Sequence, residues 1–221
     1  MSQQPRSARG RGRPSSPILS LERVAQDAIR IVTDQGYQHL TMASLARELG
    51  VSASALYNHV SSKRDVLVLI QDRINEQIDC SAFATKPWDQ ALRDWARSYR
   101  LCYVRHTALI PLMAVLSVAD SPQTLRMYER VACGLRDAGI VGADAVDVIV
   151  GIEALVFGAA YDASAPTDLF DPGDCEDLAP TFTRFAAQRS QDPREAADRS
   201  FELALDALVT GLRERFADTA R

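Results

Sequence analysis

Apolar residues recur three and four positions apart along most of this chain, and that spacing limits the possible fold more than any other feature. The first such stretch begins after Ser20 and ends before Gly36, with the apolar positions Leu21, Val24, Ala25, Ala28, Ile29 and Val32. Similar stretches follow, up to a long final helix that begins near Asp192. No segment shows the convincing alternation of a half-buried strand. The sequence therefore predicts an all-α fold.

Two very short helices are predicted close together, one at residues 41–49 and one at residues 52–60. Gly50 would end the first, and Ser52 would cap the second. Such a tight connection is the spacing of a helix-turn-helix, in which the second helix lies in the major groove of DNA. The spacing alone fits a solvated surface turn equally well, because short helices joined at a glycine are common.

The residues that would face outward in this region are suited to DNA. Serine and asparagine side chains bond base edges or phosphates, alanine contacts a thymine methyl group, and tyrosine donates to phosphate. A third helix, from Ser62 to about Cys80, brings basic side chains to its own start, where free backbone N–H groups attract phosphate. The candidate DNA-binding residues are Ser52, Ala53, Ser54, Tyr57, Asn58, His59, Lys63 and Arg64.

The charge of the chain is unevenly distributed, although the net charge of −4 is unremarkable for a globular protein. Residues 1–65 carry nine Lys/Arg and five Asp/Glu, whereas residues 66–221 carry sixteen and twenty-four. Residues 1–19 are predicted to be a disordered arm, because four arginines lie there among Gly, Pro and Ser. The run Arg11-Gly12-Arg13-Pro14 resembles the core of an AT-hook, which binds an A·T-rich minor groove. A nonspecific phosphate-binding arm and simple disorder are the alternatives.

The segment from Leu40 to Leu67 closely resembles the DNA-binding domain of the TetR family. The matching motifs are Leu49-Gly50-Val51, Leu56-Tyr57-Asn58-His59 and Lys63-Arg64. The resemblance covers roughly residues 20–70 and implies a homodimeric, ligand-responsive repressor, with a three-helix DNA-reading domain and a larger helical domain. It also implies groove-facing residues at Ala53, Ser54, Tyr57, Asn58 and His59, and phosphate contacts from Thr41, Tyr57 and Lys63. Because the similar tetracycline repressors have tryptophan where this chain has Asn58, their operator sequence does not transfer.

Large apolar residues of the C-terminal body are predicted to converge inside a helical bundle. They form either ordinary core or a cavity for a flat or lipophilic molecule. His106 and Glu153 are the polar residues most at odds with their apolar neighbours, and each either bonds a ligand or is an ordinary satisfied core residue. A buried Glu153 calls for a partner, either His106 or an arginine. The candidate ligand-binding residues are Trp95, Tyr99, Tyr103, His106, Met113, Met127, Glu153, Phe157 and Tyr161.

Two helices of the body are predicted to form a dimer interface, the last helix at about 193–217 and the nearly apolar helix at 144–161. An isologous four-helix contact would bury apolar faces that have no obvious partner within one chain. Alternatively, both helices only cover the core of the monomer. The candidate interface residues are Gly151, Ala154, Gly158, Ala204, Leu208 and Leu212.

Other classes of function find little support in the sequence. The four cysteines are scattered and there are only three histidines, so no metal or cofactor is predicted and a magnesium–tetracycline site is disfavoured. The motifs of serine hydrolases, zinc proteases, P-loop and dinucleotide-binding enzymes are absent, so we expect no enzyme and no catalytic residue. No apolar run reaches membrane-spanning length and no secretory signal is seen. We therefore expect a cytoplasmic protein without a membrane partner.

These observations divide the chain into a disordered arm at 1–19, a helix-turn-helix domain at 20–66, and a helical ligand-binding and dimerisation domain at 67–221. The predicted function is a DNA-binding transcriptional repressor, released from a palindromic operator by a small lipophilic or aromatic effector. Two alternatives stay open. One is an architectural or effector-independent DNA-binding protein, and the other is an all-α small-molecule carrier or enzyme fused to a helix-turn-helix.

Overall fold

A computed structural model describes residues 19–166 and 168–217. In this part of the chain it contains α-helices and short 3₁₀ turns and no strand, which confirms the all-α prediction. The helices are α1 (Leu21–Gln35), α2 (Met42–Leu49), α3 (Ala53–Tyr57), α4 (Lys63–Asn75), α5 (Trp88–Val104), α6 (Ile110–Met113), α7 (Pro122–Asp137), α8 (Ala143–Asp162), α9 (Pro180–Ala186) and α10 (Pro193–Arg215). The predicted arm lies outside the described residues except for Leu19, which packs against the core.

Helices α1 to α4 share one small core. Helix α1 packs against α2 and α4, and α2 packs against α3. Val24 and Ala28 of α1 are completely buried, as is Leu56 of α3, because each belongs to the apolar stripe of its helix. Arg30 holds α1 to α2 on the outside, with a distance of 2.7 Å from its Nη2 to Oε1 of Glu48.

The body is built on α5, α8 and α10, each of which packs against the other two. The apolar stripe of α5 faces this core, and three of its arginines pair with acidic residues of α10. The shortest distances are 2.8 Å for Arg93–Asp206, 2.7 Å for Arg97–Glu202 and 2.7 Å for Arg100–Asp198. Exposed ion pairs of this kind contribute less than about 1 kcal/mol each. Their main consequence is to fix which side of α10 faces α5.

Helix α4 connects the two parts of the molecule. Beyond its contact with α1 it packs against α5, α6 and α7. The 3₁₀ turn Thr107–Leu109 makes a second connection, because it contacts α1. A displacement of the body would therefore be transmitted to α1 by two sets of contacts, those of α4 and those of the 3₁₀ turn Thr107–Leu109.

Several predicted helix ends were wrong. Helix α3 ends at Tyr57 instead of Val60, and α4 ends at Asn75 instead of Cys80. In each case a turn with hydrogen bonds between residues three positions apart follows the helix, such as His59 N–H to the Leu56 carbonyl and Gln77 N–H to the Ile74 carbonyl. Apolar spacing does not distinguish such a turn from a helix. Helix α6 has only four residues, and Ser117 to Ser121 lie outside any helix.

The described part of the acidic region 163–179 holds the 3₁₀ helix Gly173–Leu178. Helix α9, which follows directly, was not predicted. It is short and starts at Pro180, and none of its residues is buried in the chain. Without a buried stripe, a helix leaves no periodic signal in the sequence.

No helix in the described ranges is both long and apolar enough to cross a membrane.

Candidate functional site

The start of α2 is fixed by a reciprocal cap. Oγ1 of Thr41 accepts the backbone N–H of Ser44 at 3.0 Å, while Oγ of Ser44 accepts that of Thr41 at 2.9 Å. Such a capping box satisfies two of the free N–H groups at the helix start. Thr41, predicted to bind phosphate, is exposed at this position.

The connection to α3 depends on Gly50 and Ser52. Gly50 has φ = 69°, the left-handed conformation that glycine adopts at little cost, and it ends α2. Two residues later, Oγ of Ser52 accepts the N–H of Ala55 at 3.1 Å and starts α3. These two local interactions set the angle between the helices, so the predicted turn and caps are confirmed.

Helix α3 has one buried and one exposed side. Leu56 is 0% exposed, whereas the Tyr57 side chain is 51% exposed. The residues predicted to face DNA are exposed as well: Ser52, Ala53, Ser54, Asn58 and His59. The exposed side therefore carries short side chains that allow close approach of a nucleic acid, together with hydrogen-bonding groups.

The start of α4 has a second capping box, as predicted. Oγ of Ser62 accepts the N–H of Asp65 at 3.2 Å, and Oδ2 of Asp65 accepts the N–H of Ser62 at 3.1 Å and that of Ser61 at 2.8 Å. The hydrogen bond from the Ser62 hydroxyl, followed by that from the Ser61 N–H, lowers the pKa of Asp65. The carboxylate thus stays ionised and holds the loop between α3 and α4.

Lys63, the first residue of α4, is held by Tyr37, a residue that the sequence did not single out. The lysine Nζ lies 3.6 Å from the centre of the Tyr37 ring and 3.4 Å from the Tyr37 carbonyl oxygen. Tyr37 begins the 3₁₀ turn that leads into Thr41. The starts of α2 and α4 are therefore adjacent. The adjacent residue Arg64 is exposed.

In the body, four of the predicted ligand-binding residues form an aromatic cluster between α5 and α8. The ring centres lie 5.6 Å apart for Trp95–Tyr99, 5.2 Å for Tyr99–Tyr103, 5.7 Å for Tyr99–Phe157 and 5.0 Å for Tyr103–Phe157. Trp95, Tyr99 and Tyr103 are buried, while Phe157 is half-buried. The indole N–H of Trp95 is buried and has no hydrogen-bond partner.

Glu153 joins this cluster, but with partners other than those expected. Its Oε1 accepts the hydroxyl of Tyr99 at 2.7 Å and that of Tyr128, on α7, at 2.5 Å. The expectation that His106 or an arginine pairs with it is wrong. Burial raises the pKa of Glu153, and the two hydrogen bonds oppose that shift. A buried carboxyl needs donors, and tyrosines supply them without adding charge.

The other predicted ligand-binding residues lie in different surroundings. Met113 and Met127 are buried in the hydrophobic core. Tyr161 is exposed near the end of α8. His106 follows the end of α5, where its Nδ1 is buried without a partner. Burial, and to a lesser extent Arg105, lowers the pKa of His106.

A chain of buried hydrogen bonds links the aromatic cluster to α4. The Tyr103 hydroxyl donates to Oδ1 of Asn75 at 3.0 Å, and Nδ2 of Asn75 donates to Oγ1 of Thr124 at 2.8 Å. Thr124 and Ser121 share a hydrogen bond of 2.6 Å, and Oγ of Ser121 donates to Oδ1 of Asp72 at 2.8 Å. Sequence reasoning missed these contacts, because they join residues up to 49 positions apart.

Asp72 also caps the start of α7. Ser121 precedes this helix, but its side chain makes no capping hydrogen bond. Instead, Oδ1 of Asp72 accepts the N–H of Gln123 at 2.8 Å. A carboxylate at a helix start is favoured by the dipole of that helix. The last turn of α4 is thus attached to the first turn of α7.

An exposed apolar stripe runs along α8. Val146 and Val150 are 57% and 55% exposed, and Ala154 and Gly158 continue the stripe at intervals of four residues. In a single chain this face of α8 is therefore exposed. Of the other predicted interface residues, Ala204 is exposed, whereas Gly151, Leu208 and Leu212 are half-buried. Leu203 of α10 is 74% exposed.

A groove of about 480 Å³ lies between residues 162–172, α9 and the start of α10. None of the predicted ligand-binding residues lines it. The groove borders a segment with exposed Phe170, Phe182 and Phe185. We place the candidate ligand site at Glu153 instead, since polar groups there converge among aromatic rings. Within the described ranges, no three His, Cys, Asp or Glu side chains gather into a possible metal site.

Two family models match the chain. Residues 26–70 match the bacterial regulatory proteins of the tetR family, and residues 84–216 match the tetracyclin repressor-like C-terminal domain. The chain is 31% identical over 152 residues to the HTH-type transcriptional repressor DrrR1 of Streptomyces coeruleorubidus. That alignment covers 67% of this chain and 56% of DrrR1, so the chain spans little more than half of that relative.

Solved structures have the same fold. A possible TetR family transcriptional regulator from Streptomyces coelicolor A3(2) superposes with a TM-score of 0.71 at 24% identity, covering 88% of this chain and 99% of that one. BioQ with its natural double-stranded DNA operator superposes with a TM-score of 0.57 at 26% identity, covering 77% and 95%.

Proposed function

Because the chain belongs to the TetR family of bacterial regulatory proteins, we propose that it is a dimeric repressor that a small effector releases from a palindromic operator. One observation carries the ligand-responsive part of this proposal. The buried hydrogen bonds from Tyr103 through Asn75 to Asp72 join a polar site inside the body to the helix that leads to the DNA-reading domain. Related regulators are repressors, and BioQ has been solved with operator DNA.

On DNA, α3 is the element that enters the major groove. Ala53, Ser54 and Asn58 face the bases, as His59 does, while Tyr57 contacts a phosphate from the exposed side of α3. Thr41 and Lys63 lie at adjacent helix starts, where the backbone N–H groups and the lysine charge both favour phosphate. Ser52 is assigned a capping role beside the groove, because its hydroxyl accepts the Ala55 N–H.

A second copy of the chain covers the exposed stripe of α8 and the outer side of α10. The arginine pairs with α5 occupy the inner side of α10, which leaves Leu203, Ala204 and neighbouring residues facing outward. Gly151 and Gly158 have open space where a side chain would be, so a partner helix can approach closely. A four-helix contact between two copies would bury these apolar surfaces.

Effector binding near Glu153 changes the position of α4. A ligand that separates the Tyr99–Tyr103 pair would pull on Asn75 and Asp72 and so favour a second arrangement of α4 relative to α7. The recognition helices of a dimer must lie about one helical turn apart, roughly 34–36 Å, to match a palindrome. A coupling free energy of about 1–3 kcal/mol would weaken operator binding roughly 5- to 150-fold.

Selection of bound duplexes from a random DNA pool tests this function. We expect the selected DNA sequences to share a palindromic consensus. We also expect the sedimentation coefficient of the protein–DNA complex to correspond to two protein chains on one site. Binding without any sequence preference would contradict operator recognition and would favour an architectural role. A monomer at micromolar concentration that also lacks sequence preference would exclude the proposed repressor.

A further inference from the structure

The carboxyl group of Glu153 has no positive partner. Both tyrosine hydroxyls donate to Oε1, and Oε2 accepts no hydrogen bond from the described residues. No ion pair within residues 19–166 and 168–217 includes this glutamate. The carboxylates of α10 that contact α5, by contrast, each pair with an arginine. Oε2 is not among the fully buried unpaired atoms, so it borders accessible space. A largely buried carboxyl with one unused oxygen is costly in its charged form unless a proton or a cation neutralises it.

Aromatic residues of three helices lie near this carboxyl. Tyr99 and Tyr103 of α5 are buried and pack against Phe157 of α8. Tyr128 of α7 donates to Glu153, and both Tyr128 and Phe157 are only half-buried. The faces of aromatic rings carry negative partial charge and attract cations that have left water. For an anion the same cluster offers little, because both phenol hydroxyls already donate to Glu153 and only the indole N–H of Trp95 is unpaired.

We infer that this cluster binds an organic cation with an apolar body, and that such a cation is the effector class of the protein. The positive group lies against Oε2 of Glu153, and the apolar part contacts the rings of Phe157 and Tyr128. This inference rests on the proposed function, since it gives a chemical class to the effector that the repressor would respond to.

Two ions of similar shape and opposite charge test the inference on the unaltered protein. Tetraphenylphosphonium and tetraphenylborate differ mainly in the sign of their charge, and benzyltrimethylammonium provides a smaller cation. Isothermal titration calorimetry of the full chain should show binding of at least one cation and much weaker binding of the borate. Failure of both cations to bind at millimolar concentration, or equal binding of the borate, would overturn the inference.

Glu153→Gln keeps the shape of the side chain and removes its charge. We expect cation affinity to fall about tenfold or more, because a charged contact is replaced by a neutral one. Glu129→Gln, on the exposed side of α7, is the matched control and should bind like the unaltered protein. Unchanged cation binding in a folded Glu153→Gln protein would refute the site. If that variant does not fold, the comparison of the two ions still decides the question.

Operator binding separates this inference from the proposed function. A dimer that binds its selected operator but neither binds nor responds to either cation would disprove the inference alone. Cation binding that depends on Glu153, in a protein without operator recognition, would disprove the repressor function and leave the ligand site standing. We expect the cation that binds to weaken operator binding in the unaltered protein but not in Glu153→Gln.

Discussion

The N-terminal helices and the helical body use polar side chains in opposite ways. In the N-terminal part, Thr41, Ser52 and Ser62 each bond to a backbone N–H three positions away. The candidate DNA-binding residues of α3 are exposed beside these caps. In the body, Glu153, Asn75 and Asp72 are partly or fully buried and bond to residues far away in sequence. The first arrangement gives a rigid surface, whereas the second ties the positions of several helices to one another.

This comparison of the N-terminal helices with the body assumes a dimer. In the dimer, the bodies of two chains hold the two N-terminal surfaces together. Val150→Asp should prevent dimer formation, because it places a charge in the centre of the apolar stripe of α8. Operator affinity should then fall toward that of nonspecific DNA, by about 10³-fold or more, since a single copy contacts only one half-site. Sedimentation velocity and fluorescence anisotropy with the selected operator measure the two effects.

The matched control for this variant is Val115→Asp. Val115 is 84% exposed and follows α6, outside α8 and α10. We expect it to dimerise and bind DNA normally. If Val150→Asp still forms a dimer, the interface does not lie on the apolar stripe of α8.

The exposed surface of the N-terminal part is tested at Lys63. Lys63→Ala should weaken binding to operator and random DNA by similar factors, and should reduce the slope of log affinity against log salt by about one. Anisotropy titrations at several salt concentrations measure this slope. The other lysine of the chain, Lys86, pairs with Asp94 in the body and provides the control Lys86→Ala. An unchanged slope in Lys63→Ala would show that its contact with Tyr37 is purely structural.

The difference between the two parts explains what the sequence predicted. Caps and turns are local, so Thr41, Gly50, Ser52 and Ser62 could be assigned from neighbouring residues alone. The aromatic stripe of α5 was also predictable, because it follows the helical repeat. Thus the fold class and the aromatic part of the body follow from spacing, whereas the helix-turn-helix also required the resemblance of residues 40–67 to the TetR family.

What the sequence did not reveal depends on contacts between distant segments. Nothing near Glu153 indicates that Tyr128 is its partner, and Asn75 lies 49 positions from Thr124. Tyr37 was missed as well, since its contact with Lys63 spans 26 positions. In addition, α8 looked buried because its composition is apolar throughout, whereas in a single chain one of its faces is exposed. Periodicity reports the polarity of a face but not what covers it.

The link between the body and α4 is tested at Thr124. Thr124→Val keeps the volume but removes the hydroxyl that accepts from Asn75. The buried Nδ2 of Asn75 is then left unpaired, so the free energy of unfolding should fall by about 1–3 kcal/mol. Urea denaturation measures this change. Thr181→Val, on an exposed position of α9, should change it by less than about 0.5 kcal/mol. Equal values for the two variants would show that these hydrogen bonds do not hold α4.

The smallest expected effect is the pH dependence of stability that Glu153 causes. Its pKa in the folded protein is raised above the usual 4.5, so the folded state holds the proton more tightly than the unfolded state. The resulting stabilisation is complete below the usual pKa and is lost as the pH rises through the raised pKa. Tyr99, Tyr103 and Tyr128 face this carboxyl, and burial raises the pKa of each above 10, so they stay neutral.

Glu153→Gln removes this titration, so the variant should gain stability relative to the unaltered protein as the pH rises from about 4 toward neutrality. Urea denaturation at a series of pH values measures the difference between the two free energies of unfolding. Glu129→Gln, whose side chain is exposed, should show no such trend. A constant difference between Glu153→Gln and the unaltered protein would mean that Glu153 titrates as it does in water. In that case the pKa of the Glu153 carboxyl would be that of an exposed glutamate. The two parts of the molecule would then differ in where their hydrogen-bond partners lie, but not in the ionisation of their carboxyl groups.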